Sequence, residues 1–231
     1  ITDLSGNLNI GALNGPTWTA GKYGNALLFD GINDRIDIPN SASLDISGNG
    51  ISISMWVNPQ QLTSGDSVIL AKFWSATKVS PYYQYGIELT GGNIPTFYFG
   101  SSGSLYRSDM IAVLPYDQWT HIAVSYDGAN IRWYLNGNAA GVAAQSALLQ
   151  ARGQAMKMGA DQNNAQPHKG ALDDVRIYNR SLSQTEIQND MNTPISDDII
   201  PPSESGNLVA NGAIGQISLS WNAAIDNIGV V

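Results

Sequence analysis

An all-β chain of two antiparallel sheets packed face to face, with one short C-terminal helix, is the fold class that the sequence predicts. Three observations predict it. The stretch Trp119 to Gly137, WTHIAVSYDGANIRWYLNG, alternates in character on both sides of Asp127-Gly128, which is the period of a strand with two distinct faces. About a dozen short runs of this kind recur along the chain, separated by turn residues, as in a β-sandwich. A strand face rich in Trp, Ile, Leu and Val needs a second layer to cover it.

Taken in order, Asp3 to Asn9 (DLSGNLN) is turn-rich. Pro16 to Tyr23 reads as a loop anchored by Trp18. Ala26 to Phe29 and Arg35 to Ile38 are strands around a tight loop, Asp30 to Asp34. Ile51 to Asn58 is a firm strand, with Ile51, Ile53, Met55 and Val57 on one face and Ser52, Ser54 and Trp56 on the other. Val68 to Phe73 is a strand, followed by the polar excursion Trp74 to Pro81 and then by Tyr82, Tyr83 and Tyr85, leading into Gly86 to Leu89. Thr96 to Phe99 and Leu105 to Val113 flank the turn Ser101 to Ser104.

In the central stretch, Asp127-Gly128 supplies residues that tolerate positive φ in a hairpin. Asn136-Gly137 opens a second turn, and Ala139 to Ala143 returns as a third strand. Ala155 to Gly159 is a strand, Asp161 to Lys169 (DQNNAQPHK) a polar loop, and Ala171 to Tyr178 the closing strand. Ser183 caps a short helix, with Glu186 three residues later as the other half of a capping box. The sandwich accounts for residues 1–192. Thr193-Pro194 and Pro201-Pro202 bracket the spacer ISDDII, so 193–202 reads as a linker. Residues 203–231 contain one good strand, Gln216 to Trp221, and are too few to bury a core of their own.

Composition excludes several function classes. The net charge of −8 would repel a phosphate backbone or an anionic bilayer, so no nucleic acid and no membrane is expected as partner. No apolar run approaches spanning length. With no cysteine there is neither a disulfide framework nor thiol chemistry. Only three glutamates occur, Glu88, Glu186 and Glu204, on a strand, the helix and the linker. Asp173-Asp174 are neighbours on one strand and point to opposite faces. No acid/base pair for glycosidic cleavage emerges. No nucleophile-elbow motif is present, and His121 reads as a structural residue. The chain is expected to be non-catalytic.

The pieces GNALLFDGINDRIDIP, ISISMWVNP, WTHIAVSYDGANIRWYLNG and GALDDVRIYNRSLSQTEI, in that order, resemble the laminin-G-like, concanavalin-A-like jelly-roll family of bacterial extracellular proteins. NLVANGAIGQISLSWNAAIDNIGV is similar to the opening of a fibronectin type III domain. The first resemblance implies a secreted or cell-surface bacterial setting. It also implies a structural calcium bridging an early loop to an acidic residue on the last strand, which is Asp173 here. The loop side offers oxygens from Asp30, Asn33 and Asp34, with Gly31 free to turn its carbonyl inward. Members of the family usually carry a further strand ahead of Asp3. Either that strand lies ahead of Ile1 or another segment replaces it, and the C-terminal segment, if ordered, is expected to pack against its own sandwich or a neighbouring chain.

A ligand site is expected where flat aromatic rings meet planar polar groups on loops. Trp74, Tyr82, Tyr83 and Tyr85 cluster around the long excursion, Arg107 follows a nearby turn, and Asp161, Gln162, Asn163 and His168 fill the polar loop. That inventory suits a polysaccharide or oligosaccharide. A carbohydrate-binding module is the first expectation, and an adhesion module or a structural spacer the alternative.

Overall fold

The computed structural model describes residues 1–62, 65–73, 83–195, 209–213 and 216–220, with only the backbone for Phe73, Tyr83 and the last two segments. The chain opens with β1 (Ala12–Asn14), β2 (Thr17–Ala20), β3 (Asn25–Asp30), β4 (Arg35–Ile38) and β5 (Ile51–Pro59). It continues through β6 (Ser67–Phe73), β7 (Tyr83–Thr90), β8 (Ile94–Ser101) and β9 (Ser104–Asp109). The central strands β10 (Thr120–Tyr126), β11 (Asn130–Leu135) and β12 (Asn138–Ala144) follow. Then come β13 (Met156–Met158), β14 (Lys169–Tyr178), α1 (Gln184–Asn192), β15 (Val209–Ala213) and β16 (Gln216–Ser220).

Two seven-stranded antiparallel sheets form a jelly-roll sandwich. Sheet A has the order β1-β4-β13-β6-β7-β8-β9, and sheet B the order β12-β11-β10-β5-β14-β3-β2. The core lies between them and follows from strand alternation. Ile36, Ile38, Leu70, Tyr85, Ile87, Phe97 and Phe99 from sheet A meet Phe29, Ile51, Ile53, Met55, Val57, Ile122, Val124 and Trp133 from sheet B. Phe99 joins the layers, with its ring 5.2 Å from Tyr106 and 5.3 Å from Tyr126. Two of the largest buried side chains have satisfied polar tips: Tyr85 Oη donates to Leu44 O at 2.8 Å, and Trp133 Nε1 to Ser108 O at 3.3 Å.

The central hairpins form as expected, with one refinement. Asn136 and Gly137 both take positive φ, +47° and +73°, as a two-residue hairpin of this kind requires. The loop between β10 and β11 spans three residues, with Gly128 at φ +82° and Asp127 Oδ1 accepting from Ala129 N and Asn130 N.

Two segments differ from the sequence reading. Thr17–Ala20 is an edge strand rather than a loop, and Trp18 is 62% exposed rather than an anchor. β9 stops at Asp109, after which the chain leaves sheet A for sheet B. Alternation persists across that passage because Met110 and Leu114 plug the core while Ile111 and Val113 face solvent, so an unpaired crossing mimics a strand.

The helix forms with its capping box intact: Ser183 Oγ accepts from Glu186 N, and Glu186 Oε2 accepts from Ser183 N. It packs on the outer face of sheet B, where Ile187 and Leu182 cover Ala123 and Tyr134. Chain contacts divide the protein into residues Ile1–Pro194 and Ile195–Val231. In the second unit β15 and β16 pair as an antiparallel hairpin.

Candidate functional site

The register of the sheets separates residues that the sequence reading had grouped. Ser67 opens β6 and its Oγ lies 2.8 Å from His168 Nδ1, so the polar loop sits at that end. The excursion Trp74 to Tyr82 leaves from the other end, where Phe73 pairs with Tyr83. Six residues of strand place these ends about 20 Å apart. Among the described residues, Phe73 and Tyr83 are therefore not brought together with the polar loop. Trp74 and Tyr82 lie outside the described residues, as does the side chain of Tyr83. Tyr85 is a core residue whose ring is sealed between the sheets.

The polar loop is satisfied only in part: among the described residues, Gln162 Oε1, Gln166 Oε1 and His168 Nε2 are buried without a hydrogen-bond partner. Asp161 is fully buried, and its Oδ1 accepts from Asn163 N and Ala165 N at 2.8 Å each. Gln162 is half-buried and Asn163 exposed. His168 is fully buried against Phe29, with ring centroids 5.8 Å apart, and burial lowers its pKa to about 3. His121 is equally buried, beside Trp56 at 5.3 Å, and burial followed by the Arg176 charge lowers it to about 4. Both histidines are thus neutral at ordinary pH, and neither is presented to solvent.

The metal candidates also fall apart. Asp30 pairs with Lys169, and Leu27 with Leu172. Asp173 therefore lies four residues along the ladder from Asp30, about 13 Å away. There its Oδ2 accepts from Tyr23 N at 3.0 Å and closes on Gly21, whose Cβ position it would occupy at 2.5 Å. At the other end, Asp30 Oδ1 accepts from Ile32 N and Asn33 N, and Asp34 Oδ2 accepts from Asp30 N. Gly31 holds φ +78° in that loop. Asp30, Gly31, Asn33 and Asp34 come together; Asp173 does not join them. Among the described residues no group of three or more acidic, histidine or cysteine side chains is placed to hold a metal ion. The five residues do not fit a single bridging calcium.

Arg107 lies on the outer face of sheet A, where register builds a platform around it. One row across the sheet runs Ala71, Gly86, Tyr98, Arg107. The next runs Val68, Glu88, Thr96, Asp109. The guanidinium carbon stands 5.6 Å over the Tyr98 ring. Arg107 Nε donates to Asp109 Oδ1 at 2.7 Å, Nη2 reaches Thr90 Oγ1 at 3.4 Å, and Thr96 Oγ1 donates to the same Asp109 oxygen at 2.8 Å. Arg107 and Asp109 are about half exposed. Burial and then the Glu88 charge push the Tyr98 phenol up to about 12. Burial raises Asp109, but the hydrogen bonds from Arg107 and Thr96 outweigh it and hold the carboxyl below its usual range. Gly86 and Ala71 add no bulk beside the ring. Tyr98 itself is buried, 9% exposed, and packs with Val68 and Ala71 under the guanidinium, so what this face presents is the half-exposed Arg107 and Asp109.

Tyr98, Thr90, Thr96 and Asp109 were absent from the sequence candidates. Counting outward from the Ser101 to Ser104 turn pairs Tyr98 with Arg107 and Thr96 with Asp109. That signal was legible once the hairpin was recognised.

Residues 30–188 match the model of the Laminin_G_3 family, described as the concanavalin A-like lectin/glucanases superfamily. The chain belongs to this family. Among solved structures, this Laminin_G_3 chain is similar to domain 4 of AbnA, a GH43 extracellular arabinanase from Geobacillus stearothermophilus, in complex with arabinotriose. Identity is 24% and the TM-score 0.67, over 82% of this chain and 92% of that one. It is also similar to the botulinum neurotoxin serotype G binding domain, at 14% identity and TM-score 0.64 over 82% of this chain. The binding domain of Paraclostridial mosquitocidal protein 1 matches at 16% and 0.65 over 83%. The Laminin_G_3 chain spans 47% and 49% of those two toxin domains. At these identities the likeness is one of fold. No curated protein matches the chain by sequence.

Proposed function

We propose that this protein is a non-catalytic carbohydrate-binding module of an extracellular polysaccharide-active protein, holding glycan on the outer face of sheet A at Arg107 and Tyr98. The observation that carries this reading is the guanidinium fixed over the Tyr98 ring by Asp109 and Thr90. The half-exposed guanidinium and carboxylate are planar polar groups that can bond sugar hydroxyls, over a Tyr98 ring that is itself buried. Strands hold such groups with less entropy to lose on binding than loops do. The arabinanase domain of the same fold, solved with arabinotriose, supports the substrate class. The segment Trp74 to Tyr82 enters this sheet at Tyr83, one strand from Tyr98, and is proposed to add aromatic contacts.

A hydrolytic role is disfavoured by Asp109. Hydrolysis by paired carboxylates needs one of them to hold a proton. The bonds from Arg107 and Thr96 keep Asp109 ionised and occupied. Calcium is proposed only for the Asp30–Asp34 loop. There burial raises the Asp34 pKa against the backbone bond from Asp30, and the Asp30 charge raises it further, a repulsion that a cation would relieve.

An array of immobilised neutral oligosaccharides, arabinotriose included, tests the function. Binding with micromolar to millimolar affinity is expected. Titration of Arg107→Ala and Tyr98→Ala should then show a fivefold to tenfold loss each, about 1 kcal/mol. Wild-type affinity in both variants would move the site elsewhere. A protein-interaction role is the second reading, favoured by the exposed apolar side chains Ile111, Val113 and Val142, at 83%, 58% and 67% exposure.

A further inference from the structure

β12 is an outermost strand of sheet B, and its ladder fixes which backbone groups face away from the sheet. Gln145 N donates to Ala129 O at 2.9 Å, one residue beyond the pair Asn130–Ala144. That bond marks Asn130–Ala144 as a non-hydrogen-bonded pair, whose own N–H and C=O groups turn away from each other. Two residues back, Val142 opposite Arg132 is oriented in the same way. The bulge of this ladder lies between Arg132 and Tyr134, so Val142 and Ala144 keep regular register. These two residues therefore present two N–H and two C=O groups to the open edge. Among the described residues, the one backbone bond that reaches β12 on that side comes earlier, from Ile111 N to Ala140 O at 3.1 Å.

Sheet edges are commonly protected by lysine, proline or an inward-pointing charge. From Leu135 to Ala151 the chain carries no ionisable side chain and no proline. Val142 is 67% exposed, and Ala144 is exposed too. Beside the strand, between Ile111 and the β11–β12 hairpin, lies a cavity of about 500 Å³, lined mainly by Leu135, Ala139, Ala140 and Gly141 and holding no ionisable group. The hairpin is held from behind: Gly137 O accepts from Gln184 Nε2 and Gln188 Nε2 of α1, each at 3.0 Å. The edge and the cavity are thus presented with little ordering left to do on binding.

We propose that the Val142–Ala144 edge is the docking site of an extended, uncharged polypeptide segment, which adds a strand to sheet B and sets an apolar side chain in the cavity beside Ile111. The unpaired backbone groups specify the occupant. Their alternating donors and acceptors are those that an extended chain satisfies and that a helix, with its own groups already paired, does not. Ile111 already makes one such bond to the same strand. Alternate side chains of an added strand point to opposite faces, so every second one is directed to the cavity side. A charged side chain would lose its hydration there and find no partner. The inference rests on the protein-interaction reading and not on the glycan one.

The test uses the whole chain and an array of blocked hexapeptides in which threonine alternates with valine or leucine. The strongest binder should lose at least about fivefold in affinity for Val142→Pro, which removes one outward N–H. It should lose as much when N-methylated at alternate residues in one of the two possible patterns. Amide hydrogen exchange on the wild type gives a readout that needs no variant. In the free chain the Val142 and Ala144 amides should exchange fast and those of Ala143 and Gln145 slowly, and saturating peptide should slow the first pair. Arg107→Ala should bind the peptide as the wild type does. Binding unchanged by Val142→Pro and by both methylation patterns overturns the edge while leaving the broader protein-interaction reading in place. If no peptide binds and the Val142 and Ala144 amides stay unprotected, the proposal fails. It also fails if light scattering shows the free chain dimeric and Val142→Pro monomeric, since a second copy then fills the edge.

Discussion

Two buried histidines tie stability to pH. His121 and His168 have folded pKa values near 4 and 3, both lowered chiefly by burial. The unfolded value is about 6.5. Between those limits the unfolded chain binds more protons, so stability rises with pH. The contribution is fully present above about pH 6.5 and is lost progressively as pH falls toward 4. Each histidine adds a slope of at most about 1.4 kcal/mol per pH unit. Urea midpoints between pH 7 and pH 4 should fall, and replacing His168 with Asn should flatten the curve. The acidic loop gives a second test. EDTA should lower the melting temperature if calcium binds the folded state, Asp34→Asn should remove that difference, and Asp173→Ala should leave it intact. An unchanged melt would end the calcium proposal.

At the scale of elements, α1 is held by its docking more than by its own length. Nine residues are marginal as an isolated helix. Ile187 is fully buried. Asp190 Oδ1 accepts from Tyr178 Oη at 3.0 Å, and its Oδ2 accepts from Ser54 Oγ at 3.2 Å. Arg176 Nη1 and Tyr23 Oη bond the last-turn carbonyls of Asp190 and Met191. Ile187→Ala should cost about 2–5 kcal/mol in chemical unfolding. Gly137→Ala should also destabilise, since φ is +73° there and a Cβ would meet Gln188 Cγ at 2.9 Å. Wild-type midpoints in both variants would show that the helix is an ornament on sheet B.

For the whole molecule, charge and topology make separate statements. A net charge of −8 and a neutral sugar ligand together predict affinity that hardly changes between 50 and 500 mM salt, by the general logic of screening. A steep salt dependence would point to a charged partner instead. Among the described residues, every member of the main core lies before Pro194. A fragment ending at Pro194 should therefore give a β-type circular dichroism spectrum and one cooperative melt. No described helix is long and apolar enough to cross a membrane.

Local pattern was sufficient for most strands, though not for β2 or the end of β9, and for the Asn136-Gly137 turn and the capping box, because each is set by residues within a few positions of one another. The two-layer sandwich followed from the same pattern, since a sheet with an apolar face must be covered. What needed the tertiary structure was adjacency across the sheets. His168, Tyr85 and Asp161 carry polar groups, and sequence distinguishes poorly between a polar group that faces a ligand and one that is buried inside. Asp30 and Asp173 are both acidic residues near turns, but only the β3–β14 register puts them at opposite ends of one ladder. Trp18 reads as an anchor because tryptophan is usually covered. Its exposure depends on where the two sheets stop, and that is decided by strand order, a property that no local stretch of this chain encodes.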